Sequence, residues 1–241
     1  MCLLPYASRV WLLAATAVAA FPAQAGLDDW LKDKIKQPEA RALDPGTVAA
    51  GLRDALEQGT RRAVQDLGRE NGFWSHPTLR IPVPENLAKI EKGLRRFGQD
   101  KVADDFVRSL NRAAEAATPA ARDIFVDAIR RMTIKDAVEI LKGPSDAGTR
   151  YFRRHTETPL TAAFRPIVVR STETVGVTAR YKRFARKAEP LGLVSPGELD
   201  LDDYITRKAL DGLFQLVAAE ERRIREDPAA RTTDLLRKVF R

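Results

Sequence analysis

The chain has 241 residues, of which 44% are hydrophobic and 31% charged, a balance that argues against a wholly disordered protein. Its formal net charge of +8 is typical of proteins with polyanionic partners, although a solvated mixed-charge surface that leans basic gives the same balance. The only cysteine is Cys2, so a chain that loses its first residues has neither a disulfide nor thiol chemistry.

The first 25 residues have the pattern of a secretory signal peptide. Arg9 precedes an apolar run from Val10 to Phe21, and Ala23-Gln24-Ala25 supplies the small residues that a signal peptidase needs. The run of about 12 residues is shorter than the roughly 20 that cross a bilayer. We therefore predict cleavage after Ala25 and a periplasmic location, with an N-terminal core helix as the alternative.

The rest of the chain divides into a short segment and one domain. Residues 26–46 are charged and are interrupted by Pro38 and Pro45, which predicts a short helix followed by a linker. Residues 47–241 are predicted to form a single helical domain. Its first helix, at about 47–67, has apolar residues at helical spacing.

Near residues 78–84 the pattern changes from helical spacing to alternation, and two prolines in the segment cannot donate hydrogen bonds to a neighbouring strand. We predict a short extended arm that is anchored by Phe73 and Trp74 and lies in a groove. The host of the arm is its own domain or a partner subunit, and the second case predicts a homo-oligomer. The apolar residues of the arm are Leu79, Ile81 and Val83.

After the arm, apolar residues at helical spacing alternate with signals for helix starts. These signals are a capping residue before proline or before an acid in the first turn. They occur at Thr118, Thr133, Thr158, Asp200 and Asp227. Signals and spacing predict helices at about 84–97, 100–117, 119–131, 134–142, 145–156, 159–175, 179–188, 201–226 and 229–239. Pro166 is predicted to kink its helix.

The helix at 201–226 is predicted to be the centre of the fold. Its apolar residues cover most of its circumference, which indicates burial by neighbours on several sides. Gly212 costs about 1 kcal/mol relative to alanine in a helix and therefore predicts that another helix crosses closely there. The predicted fold class is all-α, a multi-helix bundle around this long buried helix.

Several segments of the domain match the pattern of one known family. They are residues 80–84, 124–129, 143–147, 151–154, 200–206, 208–214 and 227–236. Over about residues 47–241 the chain resembles the domain-of-unknown-function family 4197, which consists of exported helical proteins of Gram-negative bacteria. The resemblance implies a helical envelope protein. It implies no activity and supplies no catalytic residues.

The sequence lacks the residue patterns of common active sites and metal sites. The two histidines, His76 and His155, are far apart in sequence, so we predict no metal site and no cofactor. No serine lies in a Gly-x-Ser-x-Gly or Ser-x-x-Lys motif, and we predict no catalytic residues. The acids at 200–203 resemble part of a calcium loop, but Ile205 stands where glycine is needed. We interpret them as acids of a helix N-terminus.

Acids and bases at helical spacing are interpreted as surface ion pairs. Glu221 lies four residues before Arg225, and Arg207 lies four residues before Asp211. Because glycoside hydrolases use pairs of carboxylates, the alternative function is an envelope hydrolase that acts on cell-wall glycan or phospholipid.

Two basic clusters form the candidate ligand-binding site, because guanidinium groups pair well with phosphates and carboxylates. Its residues are Arg150, Arg153 and Arg154, which flank two aromatic residues, and Arg180, Arg183 and Lys187, which share one helix face. Solvated arginines around core aromatics are the alternative interpretation. We expect a non-enzymatic periplasmic protein that is structural or binds anionic lipid, lipopolysaccharide or an envelope protein. Export argues against nucleic acid as the partner.

Overall fold

The computed structural model describes residues 44–174, 176, 178–179, 181–182 and 200–240. This part of the chain is helical apart from connecting segments and has no β-strand. None of the described helices is long and apolar enough to cross a membrane. Two 3₁₀ turns lie at Thr118–Ala120 and Pro228–Ala230. The α-helices are α1 (Pro45–Gly68), α2 (Glu85–Arg96), α3 (Asp100–Ala117), α4 (Ala121–Arg131), α5 (Ile134–Lys142), α6 (Ala147–Thr174), α7 (Leu201–Glu226) and α8 (Asp234–Val239).

The predicted bounds of α3, α5 and α7 are confirmed residue for residue. Local caps set two of these helix starts. At α5, Thr133 Oγ1 accepts from Asp136 N at 3.1 Å while Asp136 Oδ2 accepts from Thr133 N at 2.9 Å, a reciprocal capping box. At α7, Asp200 accepts from Asp203 N at 2.9 Å. These caps involve residues three apart, which is why the sequence reveals them.

One predicted helix start was wrong, because α6 runs unbroken through Thr158 and Pro159. Pro159 and Pro166 are both exposed on this helix. The face of α6 that packs on the core is fully buried both before and after Pro159. Its residues are Phe152, Thr156, Leu160, Phe164 and Val168. Packing of this side holds the helix together across the hydrogen bond that proline cannot make. A kink at Pro166 stays a prediction.

Two further predictions about helix ends need correction. Thr118 does not cap the next helix, because α3 continues directly into the 3₁₀ turn and the Thr118 hydroxyl donates to Ala114 O at 2.8 Å. The terminal helix predicted at 229–239 is divided into the second 3₁₀ turn and α8. Asp227 caps that turn as predicted, accepting from Ala229 N at 2.9 Å.

Helix α7 is central, packing against α1, α3 and α6. A Cβ atom at Gly212 would lie 2.8 Å from Phe73 Cε1, so the predicted close approach is confirmed. The neighbour is an aromatic ring from the segment between α1 and α2, however, and not a crossing helix. The buried residues of α7 include Leu201, Ile205, Ala209, Leu210, Leu213, Phe214 and Val217.

Residues 80–84 are neither helix nor turn, as predicted for the arm, whereas Thr78 and Leu79 lie in a turn; Leu79, Ile81 and Val83 are buried. A side chain of α3 takes the place of a neighbouring strand. Ile81 N donates to Asn111 Oδ1 at 2.8 Å, and Asn111 Nδ2 donates to Ile81 O at 2.9 Å. The groove therefore belongs to the same chain, one of the two predicted hosts, and an exchange of the arm between subunits stays a prediction.

Candidate functional site

The site begins at the N-terminus of α6, which a buried carboxylate of α7 holds in place. Glu221 accepts from Gly148 N at 2.9 Å, from Thr149 N at 2.8 Å and from the Thr149 hydroxyl at 2.9 Å. A Cβ at Gly148 would lie 2.6 Å from Leu56 Cδ2, so α6 also lies directly against α1. These contacts fix the direction in which the first turns of α6 present their side chains.

Glu221 and Arg225 also tie α6 to the end of α5. Arg225 Nη2 donates to Glu221 Oε1 and to Ile140 O, both at 2.9 Å. The interpretation of this pair as a surface ion pair was wrong, because the two side chains are only 4% and 12% exposed. The spacing of Glu221 and Arg225 correctly predicted that they form an ion pair. The burial of the two side chains could not be predicted in this way, because it depends on contacts with residues distant in sequence.

A cleft of about 240 Å³ lies between the end of α5 and the first turns of α6. One wall comes from α5, the other from α6, and the turn at Gly143 and Pro144 joins them. The residues that line it are Asp136, Glu139, Ile140, Gly143, Pro144, Ala147, Arg150, Tyr151, Arg154 and His155.

The structure divides the first predicted basic cluster between two surfaces. Arg150 and Arg154 line the cleft; Arg150 pairs with Asp146 at 2.9 Å, whereas Arg154 is exposed and forms no ion pair with any described residue. Arg153 lies elsewhere, with Nη2 3.1 Å from Asp211 Oδ1. Two of the three predicted arginines therefore share the cleft.

The ion pair predicted between Arg207 and Asp211 was wrong. Asp211 binds Arg153, whose guanidinium lies 4.7 Å from the ring centre of Phe214, and Arg207 binds Asp203 instead. Arg207 lies four residues after Asp203 and four residues before Asp211, so the spacing along the helix allows either pair and the sequence alone could not select between them.

The second predicted cluster, Arg180, Arg183 and Lys187, lies outside the described residues. Of the helix predicted at 179–188, residues 179, 181 and 182 are described, and all three are helical.

Tyr151 and His155 complete the α6 wall, and the sequence prediction missed both. The two rings stack with their centres 4.1 Å apart, and His155 Nδ1 donates to Tyr151 O at 2.8 Å. Since a carbonyl oxygen only accepts, Nδ1 carries the proton and Nε2 is left for a ligand. The signal was available: Arg150 with Arg154, and Tyr151 with His155, are four residues apart and lie along one side of a helix.

The titration of two cleft residues follows from their surroundings. Burial raises the pKa of the Tyr151 hydroxyl, and the Asp136 carboxylate raises it further, so the hydroxyl stays protonated. The hydrogen bonds from Thr133 lower the pKa of Asp136, which keeps that carboxylate ionised. The α6 wall therefore offers positive charge and hydrogen-bond donors, and the α5 wall, with Asp136 and Glu139, offers negative charge.

Other buried carboxylates have structural partners. Glu115 accepts from Phe73 N at 3.1 Å and from Trp74 N at 3.0 Å, so it fixes the segment before the arm. Asp202 binds Lys182 Nζ at 2.6 Å and the Thr172 hydroxyl at 2.7 Å. Within the described residues, no group of three or more histidine, aspartate or glutamate side chains is placed to hold a metal ion.

The fold and the cleft define a class of protein, an all-α bundle with a small cleft of mixed charge between two helix ends. Residues 42–241 match the family described as protein of unknown function (DUF4197), and the chain belongs to this family. The family resemblance seen in the sequence is therefore confirmed. No curated protein and no solved structure matches the chain.

Proposed function

We propose that this is an exported, periplasmic and non-enzymatic protein that binds an anionic envelope ligand in the cleft between α5 and α6. One observation carries the proposal: Arg154, free of ion pairs among the described residues, lies with Arg150 and His155 on one wall of the cleft. The pattern of residues 1–25 supports export.

The walls suggest the chemistry of the ligand. Guanidinium groups donate paired hydrogen bonds to phosphate or carboxylate, and His155 Nε2 adds a further polar contact. On the opposite wall, Asp136 and Glu139 would attract an ammonium group or a hydroxyl. A volume of about 240 Å³ suits a small group such as a headgroup. We therefore choose phosphoethanolamine, an envelope lipid headgroup with one phosphate and one ammonium, as the probe.

The partners of the buried carboxylates favour binding over hydrolysis. A hydrolase needs a carboxylate with a raised pKa and another that is free to act on water or substrate. Glu115, Glu221 and Asp202 instead bind backbone amides, hydroxyls or cations. Burial raises the pKa of Glu220, but this carboxylate binds Arg223 at 2.7 Å and Arg62 at 3.5 Å and does not line the cleft. In the cleft, Asp136 is ionised and held in the capping box of α5.

Isothermal titration of the full chain with phosphoethanolamine tests the proposal. We expect saturable binding that weakens as salt rises, because exposed charges are screened over about 8 Å at physiological ionic strength. Arg150→Glu with Arg154→Glu should weaken binding at least tenfold. Arg61→Glu with Arg122→Glu, which reverses two exposed arginines on α1 and α4, is the matched control and should bind as the wild type does.

Three results would contradict the proposal. Equal binding by the cleft variant and its control, or no binding by the wild type at low salt, would remove the cleft as the site. Release of ethanolamine or phosphate during the titration would contradict the non-enzymatic part and favour the hydrolase.

A further inference from the structure

A second basic cluster lies away from the cleft, around the indole of Trp74. The guanidinium carbon of Arg80 lies 3.8 Å from the ring centre of Trp74, and that of Arg108 lies 5.0 Å from it. Arg80 comes from the arm and Arg108 from α3, so three parts of the chain meet here. Trp74 is half-buried, and both arginines are exposed.

The backbone that carries this cluster is held by buried polar side chains. Glu115 binds the amides of Phe73 and Trp74, and Asn111 makes two hydrogen bonds to the backbone of Ile81, next to Arg80. Glu115 and Asn111 are 4% and 0% exposed. The indole and the arm are therefore fixed relative to α3 before any ligand arrives.

Neither arginine of this cluster forms an ion pair within 4.0 Å of a described carboxylate; Asp105, which feels the charge of Arg108, pairs with Lys101 at 2.9 Å. The contrast with the next turn of α3 is clear, because Arg112 there binds Glu70 and Glu115, both at 2.7 Å. Two cations that lie near one aromatic ring repel each other, and a bound anion would relieve the repulsion.

Stacking on the indole leaves the arginines available to a ligand. A guanidinium group that lies over a ring uses its flat face, whereas its five N–H donors point outward in the plane of the group. The ring also limits the freedom of the long side chains, so less entropy is lost when a ligand is bound. Two such donor edges match the oxygens of a phosphate group.

We propose that Arg80 and Arg108, held by Trp74, form a second anion site that binds a phosphate group. This site uses none of the cleft residues, so it goes beyond the proposed function. Two sources supply the same chemistry, a free phosphate and the headgroup of an anionic phospholipid.

Fluorescence of Trp74 tests the site in the full chain with Trp11 and Trp30 replaced by phenylalanine, which leaves Trp74 as its one tryptophan. The probes are inorganic phosphate, phosphatidylglycerol vesicles and neutral phosphatidylcholine vesicles. We expect a saturable change in Trp74 emission that salt reverses. A change with phosphate identifies a free phosphate as sufficient, and a change with phosphatidylglycerol alone identifies the lipid surface. No saturable change with either probe overturns the proposal.

Paired variants separate binding from folding. Arg80→Met with Arg108→Met keeps an unbranched side chain against the indole but removes both charges, so the chain should fold and lose at least tenfold in affinity. Arg61→Met with Arg122→Met removes the same charge elsewhere and should bind normally. Arg150→Glu with Arg154→Glu should also leave the Trp74 response intact, so failure of this site and failure of the cleft are distinguishable. An unchanged response in the Arg80/Arg108 variant overturns the proposal.

Discussion

Removing the carboxylate of Glu221 should destabilise the bundle and release the N-terminus of α6. Glu221 is buried, and it binds the amides of Gly148 and Thr149 and the guanidinium of Arg225. In Glu221→Ala these two amides lose their acceptor, and Arg225 stays buried without its counter-charge. The same substitution loosens the wall of the cleft.

The magnitude follows from the groups left without partners. A buried donor without an acceptor costs about 1–3 kcal/mol. Removal of one member of a buried ion pair costs about 3–5 kcal/mol. Since both costs arise from one carboxylate, they overlap, and we expect a total loss of about 3–5 kcal/mol. A domain is typically stable by about 5–15 kcal/mol, so the loss is a large part of the whole.

Urea unfolding, followed by the helical circular dichroism signal, measures this loss. Glu157→Ala is the matched control, because Glu157 is an exposed acid on α6 that pairs with Arg153 at 3.4 Å. That change should cost less than about 1 kcal/mol. Hydrogen exchange should accelerate at Gly148 and Thr149 in Glu221→Ala and not in the control. Equal unfolding free energies for the two variants would refute the assignment of Glu221 as the residue that fixes α6.

Three other predictions address export, the core and pH. N-terminal sequencing of exported protein should begin at Gly26, and a mature chain that begins at Met1 would remove the localisation. Leu213→Asp should cost several kcal/mol, since Leu213 is 0% exposed and the change buries an unpaired charge; an unchanged melting temperature would contradict the central position of α7. Burial raises the pKa of Tyr181 to about 12 from 10.0, so its contribution to stability is complete below pH 10 and is lost as pH rises to about 12. The unfolding free energy should therefore fall more steeply over that range in the wild type than in Tyr181→Phe, and parallel pH profiles would contradict this.

Much of the fold could be predicted from the sequence because its signals are local. Thr133 with Asp136 sets the start of α5, and Asp200 with Asp203 sets the start of α7, and in each pair the cap lies three residues from its partner. The wrong start at Pro159 shows the limit of such rules. At Pro159 the helix continues because the side of α6 that faces the core is buried, and this burial depends on contacts with other helices.

The candidate site was harder to predict because distant contacts build it. Glu221 was interpreted only through Arg225, four residues away, yet it also binds Gly148 and Thr149, more than seventy residues earlier in the chain. The arginines at 150–154 were grouped by sequence, whereas the helix divides them. A helical projection would have placed Arg150, Tyr151, Arg154 and His155 on one side of the helix and Arg153 outside that side. It would not have revealed the acidic wall of α5.

The most direct test of the binding proposal is the ring spectrum of His155 during a titration with phosphoethanolamine. The chain has two histidines, and hydrogen bonds distinguish them when neutral: His155 carries its proton on Nδ1, whereas His76 Nδ1 accepts from Leu79 N at 3.2 Å and leaves the proton on Nε2. Nitrogen-resolved magnetic resonance therefore assigns both rings. We predict a saturable shift of the His155 signals that Arg150→Glu with Arg154→Glu abolishes. His155 signals that stay in place while the ligand binds would contradict the cleft as the site of function.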